Sequence, residues 1–252
     1  MVIKWDVTVP PLSGEKLRRG YVYLPEDYQQ DLQKRYPVLY MFDGHNVFFD
    51  EDATFGKSWG MKEYLDNHPR DLIVVGIECN DEGWRRLNEY SPVDFSYEGI
   101  GHIEGQGKVY MDWLVGTLKP YIDATYRTLP DRQHTAIAGS SMGGLMSLYA
   151  VCYYNQVFQR AACLSPSLWV NVPAVTELIK EAIPEADTCI YMDYGDQELS
   201  NHEGTKEVLP VAAELLEKKG LELIFRIVLG GTHCEASWEK QIPPRRTSRC
   251  SS

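Results

Sequence analysis

The amino-acid sequence predicts an α/β fold with a mostly parallel central sheet, helices on both faces and an antiparallel N-terminal edge. Three observations predict it. Short apolar runs alternate with longer stretches whose apolar residues recur every three or four positions, and this alternation builds parallel sheets because right-handed crossovers lay helices over the two faces. The 252 residues are 44% hydrophobic and 24% charged, a globular balance that excludes disordered, collagen-like and fibrous architectures. No stretch approaches the ~18 consecutive apolar residues of a membrane-spanning helix.

Taken in order, the runs rich in Val, Ile, Tyr, Leu and Ala predict strands over 20–24, 37–42, 72–77, 135–138, 160–164, 188–192 and 223–229. Helical spacing predicts helices over 57–67, 108–126, 143–154, 172–182 and 205–219. The first strands are joined by short polar links, which places them at the antiparallel edge. Residues 1–240 are read as one domain, a size that buries a large core without metal or disulfide staples. Two segments break the alternation. Residues 80–107 form a loop-rich insert with Trp84, Arg85, Arg86 and the glycines Gly99, Gly101, Gly105 and Gly107, and a structureless stretch of that length belongs near a binding site. Residues 241–252 are rich in Pro, Arg and Ser and read as a disordered tail or a remnant foreign to the fold.

Charge and cysteines bound the function. Asp and Glu number 36 against 25 Lys and Arg, a formal net charge of -11, and such a field repels phosphate backbones and anionic lipid surfaces. Neither nucleic acid nor a membrane is expected as a partner. The tail holds Arg245, Arg246 and Arg249 and no acid, so the acidic surplus belongs to the preceding 240 residues. Six cysteines are scattered singly with no C-x-x-C or zinc spacing, and no signal-like apolar run follows the N-terminus. Reduced thiols in a cytoplasmic protein are the expectation.

The strongest local signal is Gly139-Ser140-Ser141-Met142-Gly143, a G-x-S-x-G between a small apolar strand and a helix pattern. A nucleophile needs that context: a tight strand-to-helix turn exposes the Ser141 hydroxyl, glycines remove colliding Cβ atoms, and the Met142 N–H at the helix start faces a developing oxyanion. In hydrolases with this turn an acid and then a histidine follow downstream. After the strand over 188–192 come Asp196 and Glu198 in a carboxylate-rich turn. Both are candidates, with Glu198 favoured because it stands three residues after Gly195, similar to the G-x-x-D/E turn that presents the acid in many hydrolases. After the last strand, Gly230-Gly231-Thr232-His233 forms a glycine turn able to swing an imidazole over the sheet. His45, after the strand over 37–42, is expected to lend its backbone N–H as second oxyanion donor. No H-E-x-x-H or calcium-loop pattern occurs, and neither metal nor cofactor is expected.

These residues resemble the esterase branch of the α/β hydrolases, which includes ferric-enterobactin esterases, esterase D, feruloyl and acetylxylan esterases and mycobacterial mycolyltransferases. The likeness runs from about Arg18 to Trp238. Tyr36 to Gly44 is similar to the family's YPVLYLLDG strand, Tyr121 to Thr128 to its PYIDxxYRT helix end, Gly139 to Leu145 to its GSSMGGL elbow, and Ser165-Pro166-Ser167-Leu168-Trp169 to its SPSxW segment. The resemblance implies an α/β-hydrolase fold, Ser141 as nucleophile, His233 as base, Glu198 as acid, and oxyanion N–H groups at Met142 and His45. Siderophore esterases of the family carry a second Trp after SPSxW, where this chain has Val170. Trp169, Trp84, Trp59 and Arg86 are candidate substrate contacts, the aromatic rings by stacking and Arg86 by local positive charge. The expected activity is serine carboxylesterase action on a small or medium acyl ester. Siderophore trilactone hydrolysis, feruloyl or acetyl esterase action on carbohydrate esters, acyl transfer, and a non-catalytic binding protein of the same fold stand as alternatives.

Overall fold

The structure is a computed structural model and describes residues 1–198, 205–218 and 220–242. Among the described residues ten strands occur in the order β1 (Val2–Thr8), β2 (Leu17–Tyr23), β3 (Val38–Met41), β4 (Ile73–Ile77), β5 (Phe95–Tyr97), β6 (Gly101–Ile103), β7 (Thr135–Ser140), β8 (Arg160–Leu164), β9 (Cys189–Gly195) and β10 (Glu222–Val228). The helices are α1 (Pro10–Ser13), α2 (Met61–Asn67), α3 (Arg85–Glu89), α4 (Gly107–Trp113), α5 (Lys119–Thr125), α6 (Met142–Tyr153), α7 (Val172–Glu181), α8 (Thr205–Lys218) and α9 (Glu235–Trp238). Eight strands form one sheet in the order β1-β2-β4-β3-β7-β8-β9-β10. From β4 to β10 every pairing is parallel, while β1 pairs β2 and β2 pairs β4 in antiparallel register.

Alternation along the strands feeds two cores. Val38, Tyr40 and Phe42, with Ile73, Val75 and Ile77, enter a large cluster that holds the buried residues of α4 to α8. Met41 and Val74 enter a second cluster with Met61 and Leu65 of α2 and Trp238 of α9. Helices thus cover both faces, and all five residues of β4 are buried, as a strand enclosed on two sides requires. The order reverses between β3 and β7, so the carboxyl ends of these two strands flank the crevice where open α/β sheets bind ligands.

Three segments depart from the sequence reading. Strand β1 was not expected. Lys4 and Asp6 interrupt its apolar pattern because it is an edge strand with only part of one face covered; its Trp5 ring lies where a Cβ on Gly20 would sit, 2.5 Å away. The helix expected over 108–126 runs from Gly107 to Thr125 but changes pitch, with a π-helical segment Leu114–Leu118 between α4 and α5. The insert over 80–107 is not structureless: it contains α3 and a hairpin of β5 and β6, with Ser96 opposite His102. Gly99 and Gly101 serve that hairpin, with φ of 78° and 96°. Of the expected tail, Gln241 and Ile242 continue the chain after α9, and 243–252 lie outside the described residues.

Two glycines let β3 and β4 end in backbone contact. A Cβ on Gly44 would stand 2.5 Å from the Gly76 carbonyl carbon, and one on Gly76 would stand 2.8 Å from the Gly44 Cα. Gly76→Ala is therefore expected to cost roughly 1–3 kcal/mol by overpacking and to lower the melting midpoint by about 2–4 °C per kcal/mol; thermal denaturation of the variant that matches the parent would contradict this account.

Candidate active site

Ser141 joins β7 to α6 with φ 58° and ψ −122°, a strained conformation for a residue with a Cβ. Glycine packing enforces the turn. A Cβ on Gly139 would lie 2.6 Å from the Gly143 carbonyl carbon, one on Gly143 would lie 2.8 Å from Phe42 Cβ, and one on Gly144 would lie 2.9 Å from the Leu164 carbonyl oxygen. The Ser141 N–H donates to Leu164 O at 2.9 Å, its carbonyl accepts from Ser167 N–H at 3.0 Å, and its Oγ lies 3.2 Å from Ser167 Oγ. Met142 is the first residue of α6, so its N–H has no acceptor within the helix.

In the loop after β10, His233 Nδ1 lies 2.8 Å from Glu198 Oε2. Glu198 is 5% exposed, and its second oxygen accepts from the Gly195 N–H at 2.7 Å and the Ser165 hydroxyl at 2.5 Å. Asp196 faces elsewhere: its Oδ1 accepts the Gly230 N–H at 2.7 Å, tying the end of β9 to the turn after β10. The Trp238 ring stands edge-on to the imidazole, with centroids 5.0 Å apart at 82°. Nearby Asp193 is buried, which raises its pKa to about 6 against the opposing pull of the Tyr191 hydroxyl and the Ser165 N–H.

The turn after β3 carries the other candidate oxyanion donor. Asp43 adopts φ 54° and ψ 53°, and Gly44–Asn46 form a short 3-10 turn. The His45 ring is buried and reaches Thr54 Oγ1 at 2.9 Å through Nε2. Arg86 grips Asp43 with two bonds of 2.7 Å, from Nε and Nη2 to the two carboxylate oxygens. Burial alone pushes the Asp43 carboxyl upward, but the Arg86 charge and these bonds outweigh it and hold the pKa below the ordinary range. Asp43, His45 and Cys79 bring three ligand-type atoms within 4.8 Å of one another, and Arg86 already supplies the positive charge that this cluster balances.

The candidate substrate contacts divide by exposure. Trp84 is 60% exposed at the start of α3. Trp169 is half-buried and packs against Phe95 and Tyr97 of the hairpin, at 6.3 and 5.5 Å. Trp59 is buried against Trp238 at 6.1 Å, beneath the site's histidine. Arg86 is committed to Asp43. Sequence reasoning missed Ser165, Ser167 and Trp238 as site residues, although the SPSxW run held the first two. It also missed Glu235, a buried carboxyl whose pKa burial raises and whose Oε1 accepts from Asn46 Nδ2 at 3.1 Å, linking the segments after β3 and β10.

Arg86→Ala strands the Asp43 charge and is expected to cost about 2–3 kcal/mol at pH 7. Because the folded pKa of Asp43 is depressed, the pair's contribution is complete above about pH 4 and is lost as pH falls through the folded value. Urea denaturation should therefore find the deficit shrinking in acid; an equal deficit at pH 7 and pH 3 would assign it to packing alone.

Comparison with known proteins accords with this architecture. The family model named Esterase and described as "Putative esterase" matches residues 14–246. The uncharacterized protein YbbA of Bacillus subtilis is 25% identical over 183 residues, 72% of this chain and 69% of its own. An endo-1,4-beta-xylanase/feruloyl esterase of Xylanibacter ruminicola is 27% identical over 243 residues, 93% of this chain and 30% of its own length. The crystal structure of the enterobactin esterase FES of Shigella flexneri, determined in the presence of enterobactin, superposes with a TM-score of 0.72 at 17% identity, covering 95% of this chain and 56% of that one. With the family model spanning nearly the whole chain, the protein belongs to the Esterase family of the α/β hydrolases and is an esterase.

Proposed function

We propose that the chain is a serine carboxylesterase that hydrolyses a small or medium acyl ester through Ser141, His233 and Glu198. The observation that carries this reading is the 2.8 Å bond from His233 to buried Glu198, on the sheet edge where Ser141 stands at positive φ. In this mechanism Ser141 Oγ attacks the acyl carbonyl carbon while His233 Nε2 takes the hydroxyl proton, and Glu198 Oε2 holds the Nδ1 proton and balances the imidazolium. The N–H groups of Met142 and His45 receive the oxyanion, each worth ~3 kcal/mol of transition-state stabilisation. Collapse breaks the C–O bond, and the leaving alcohol takes the proton from His233. Water then attacks the acyl-enzyme by the same route, returning Ser141 and a carboxylic acid.

A second reading is esterase action on feruloyl or other aryl esters. It is favoured by the exposed Trp84 and by Trp169 against Phe95 and Tyr97, which offer stacking surfaces, and by the kinship to a feruloyl esterase and an enterobactin esterase. The acidic surplus favours neutral or cationic esters over polyanions. A cytoplasmic location accords with six cysteines scattered singly through the sequence, with no C-x-x-C pair among them. Among the described residues no helix is long and apolar enough to cross a membrane.

Stoichiometric labelling by a fluorophosphonate, with hydrolysis of p-nitrophenyl acetate, is expected for the parent and absent in Ser141→Ala; a folded parent that neither labels nor turns over would defeat the reading. Glu198→Gln should lower kcat by about 10²–10⁴-fold, whereas Asp196→Asn should change it less than about threefold. A panel of short acyl, feruloyl, acetylated-sugar and trilactone esters, ranked by kcat/KM, separates the two substrate readings.

A further inference from the structure

Ser165, at the carboxyl end of β8, is one of three non-glycine residues at positive φ among the described residues, with φ 43°. Such a conformation costs ~1–3 kcal/mol and persists only where surroundings enforce it. Here the enforcement is visible: the Ser165 N–H donates to the Asp193 carbonyl at 3.1 Å and to Asp193 Oδ1 at 3.2 Å. The side chain so presented is 3% exposed. Its hydroxyl donates to Glu198 Oε1 and accepts the Trp238 Nε1–H at 2.9 Å.

These contacts close a ring. Trp238 donates to Ser165, Ser165 to Glu198, Glu198 accepts from His233, and the His233 imidazole stands edge-on to the Trp238 indole. A carboxylate with only the histidine as partner would be free to rotate about its terminal torsion. With Oε1 pinned by the Gly195 N–H and the Ser165 hydroxyl, Oε2 is the oxygen left for Nδ1. A short O–H···O⁻ bond is among the stronger contacts a side chain makes, and the indole restricts the imidazole from a second side.

We propose that Ser165 and Trp238 are positioning residues: the strained Ser165 turn delivers a hydroxyl, oriented by the Trp238 N–H, that locks the Glu198 carboxylate in the rotamer that aligns His233. The inference rests on the proposed roles of Ser141, Glu198 and His233. The indole N–H acts only through Ser165, so its effect vanishes when the hydroxyl is gone. The strain at Ser165 is thereby tied to function, since glycine would relieve it but carries no hydroxyl.

The test is a double-mutant cycle on p-nitrophenyl acetate with kcat and KM separated. Ser165→Ala is expected to lower kcat about 10–100-fold with KM within about twofold, because alignment of the base is needed in the transition state. Trp238→Phe, which keeps a ring beside His233 and removes the N–H, should lower kcat about 3–10-fold in the parent and leave Ser165→Ala unchanged. In a Glu198→Gln background neither change should lower kcat further. Circular dichroism and thermal melting of each variant verify folding. If Trp238→Phe does not fold, Ser165→Ala alone and on Glu198→Gln decides the matter. The proposal is overturned if folded Ser165→Ala keeps the parental kcat, or if its loss multiplies with that of Glu198→Gln. Ser141→Ala and His233→Ala run alongside: abolished turnover in both together with an unaffected Ser165→Ala sinks only this inference, whereas turnover surviving in Ser141→Ala sinks the triad reading itself.

Discussion

Backbone strain at the carboxyl edge of the sheet is the constraint from which the site follows. Asp43, Ser141 and Ser165 follow or end β3, β7 and β8, neighbours in the sheet, and each adopts positive φ while carrying a side chain. An isolated turn of this kind relaxes; these are held by backbone contacts on every side. Gly44 lies against Gly76, Gly139 against Gly143, and Gly143 against Phe42, so the turn after β3 and the Ser141 elbow pack as one unit. The β3–β7 register, Val38 opposite Thr135 through Met41 opposite Ala138, brings the two ends level. The proposed oxyanion donors therefore share one rigid frame, the preorganisation that electrostatic stabilisation of a transition state requires.

The charges near this frame are arranged to cancel locally within a protein of strong negative charge. A bare Asp43 carboxylate behind the proposed oxyanion turn would oppose the charge that the proposed reaction develops there. The bidentate Arg86 removes that opposition and anchors α3 of the insert to β3. The insert itself is anchored at a second place, where Arg18 of β2 meets Glu89 of α3 at 2.7 Å with both side chains buried. Burial raises the Glu89 carboxyl against the pull of Arg18, so this pair owes its persistence to mutual compensation more than to net stabilisation.

The central strands and the strand-to-helix turn at Ser141 were legible in the sequence because each has a dense local signature. An apolar run like Ile73 to Ile77 has one way to be satisfied, and Gly139-Ser140-Ser141-Met142-Gly143 encodes its own sterics. Strand β1 was illegible because Lys4 and Asp6 alternate outward at an edge, where burial writes only half a pattern. The insert's hairpin was illegible because three-residue strands are too short to show period two. Arg86 was legible as a basic residue near the site, but its partner Asp43 lies 43 residues away and no local spacing announces the pair. Trp238 sits five residues beyond His233, within reach of sequence reasoning, yet its hydrogen-bond partner Ser165 lies 73 residues earlier. Long-range partners of this kind are set by strand order, which short-range pattern does not carry.

Asp196 and Glu198 show how backbone contact can direct side chains to different partners. Asp196 and Glu198 are two residues apart in one turn, and composition does not separate them. The structure separates them through Gly195. A Cβ there would collide with the Gly231 backbone, so the end of β9 and the loop bearing His233 are in direct main-chain contact. Gln197 N–H donates to Gly231 O at 2.9 Å and Asp196 N–H to Val228 O at 3.1 Å, which commits Asp196 to the β10 side. The turn then closes on itself, Gly195 donating to Glu198 Oε1 at 2.7 Å, and directs the longer side chain inward beneath the histidine. Because main chain, and not side-chain freedom, sets the separation of β9 from the histidine loop, a glutamate three residues past the glycine spans a gap that the aspartate, bound to Gly230, is turned away from.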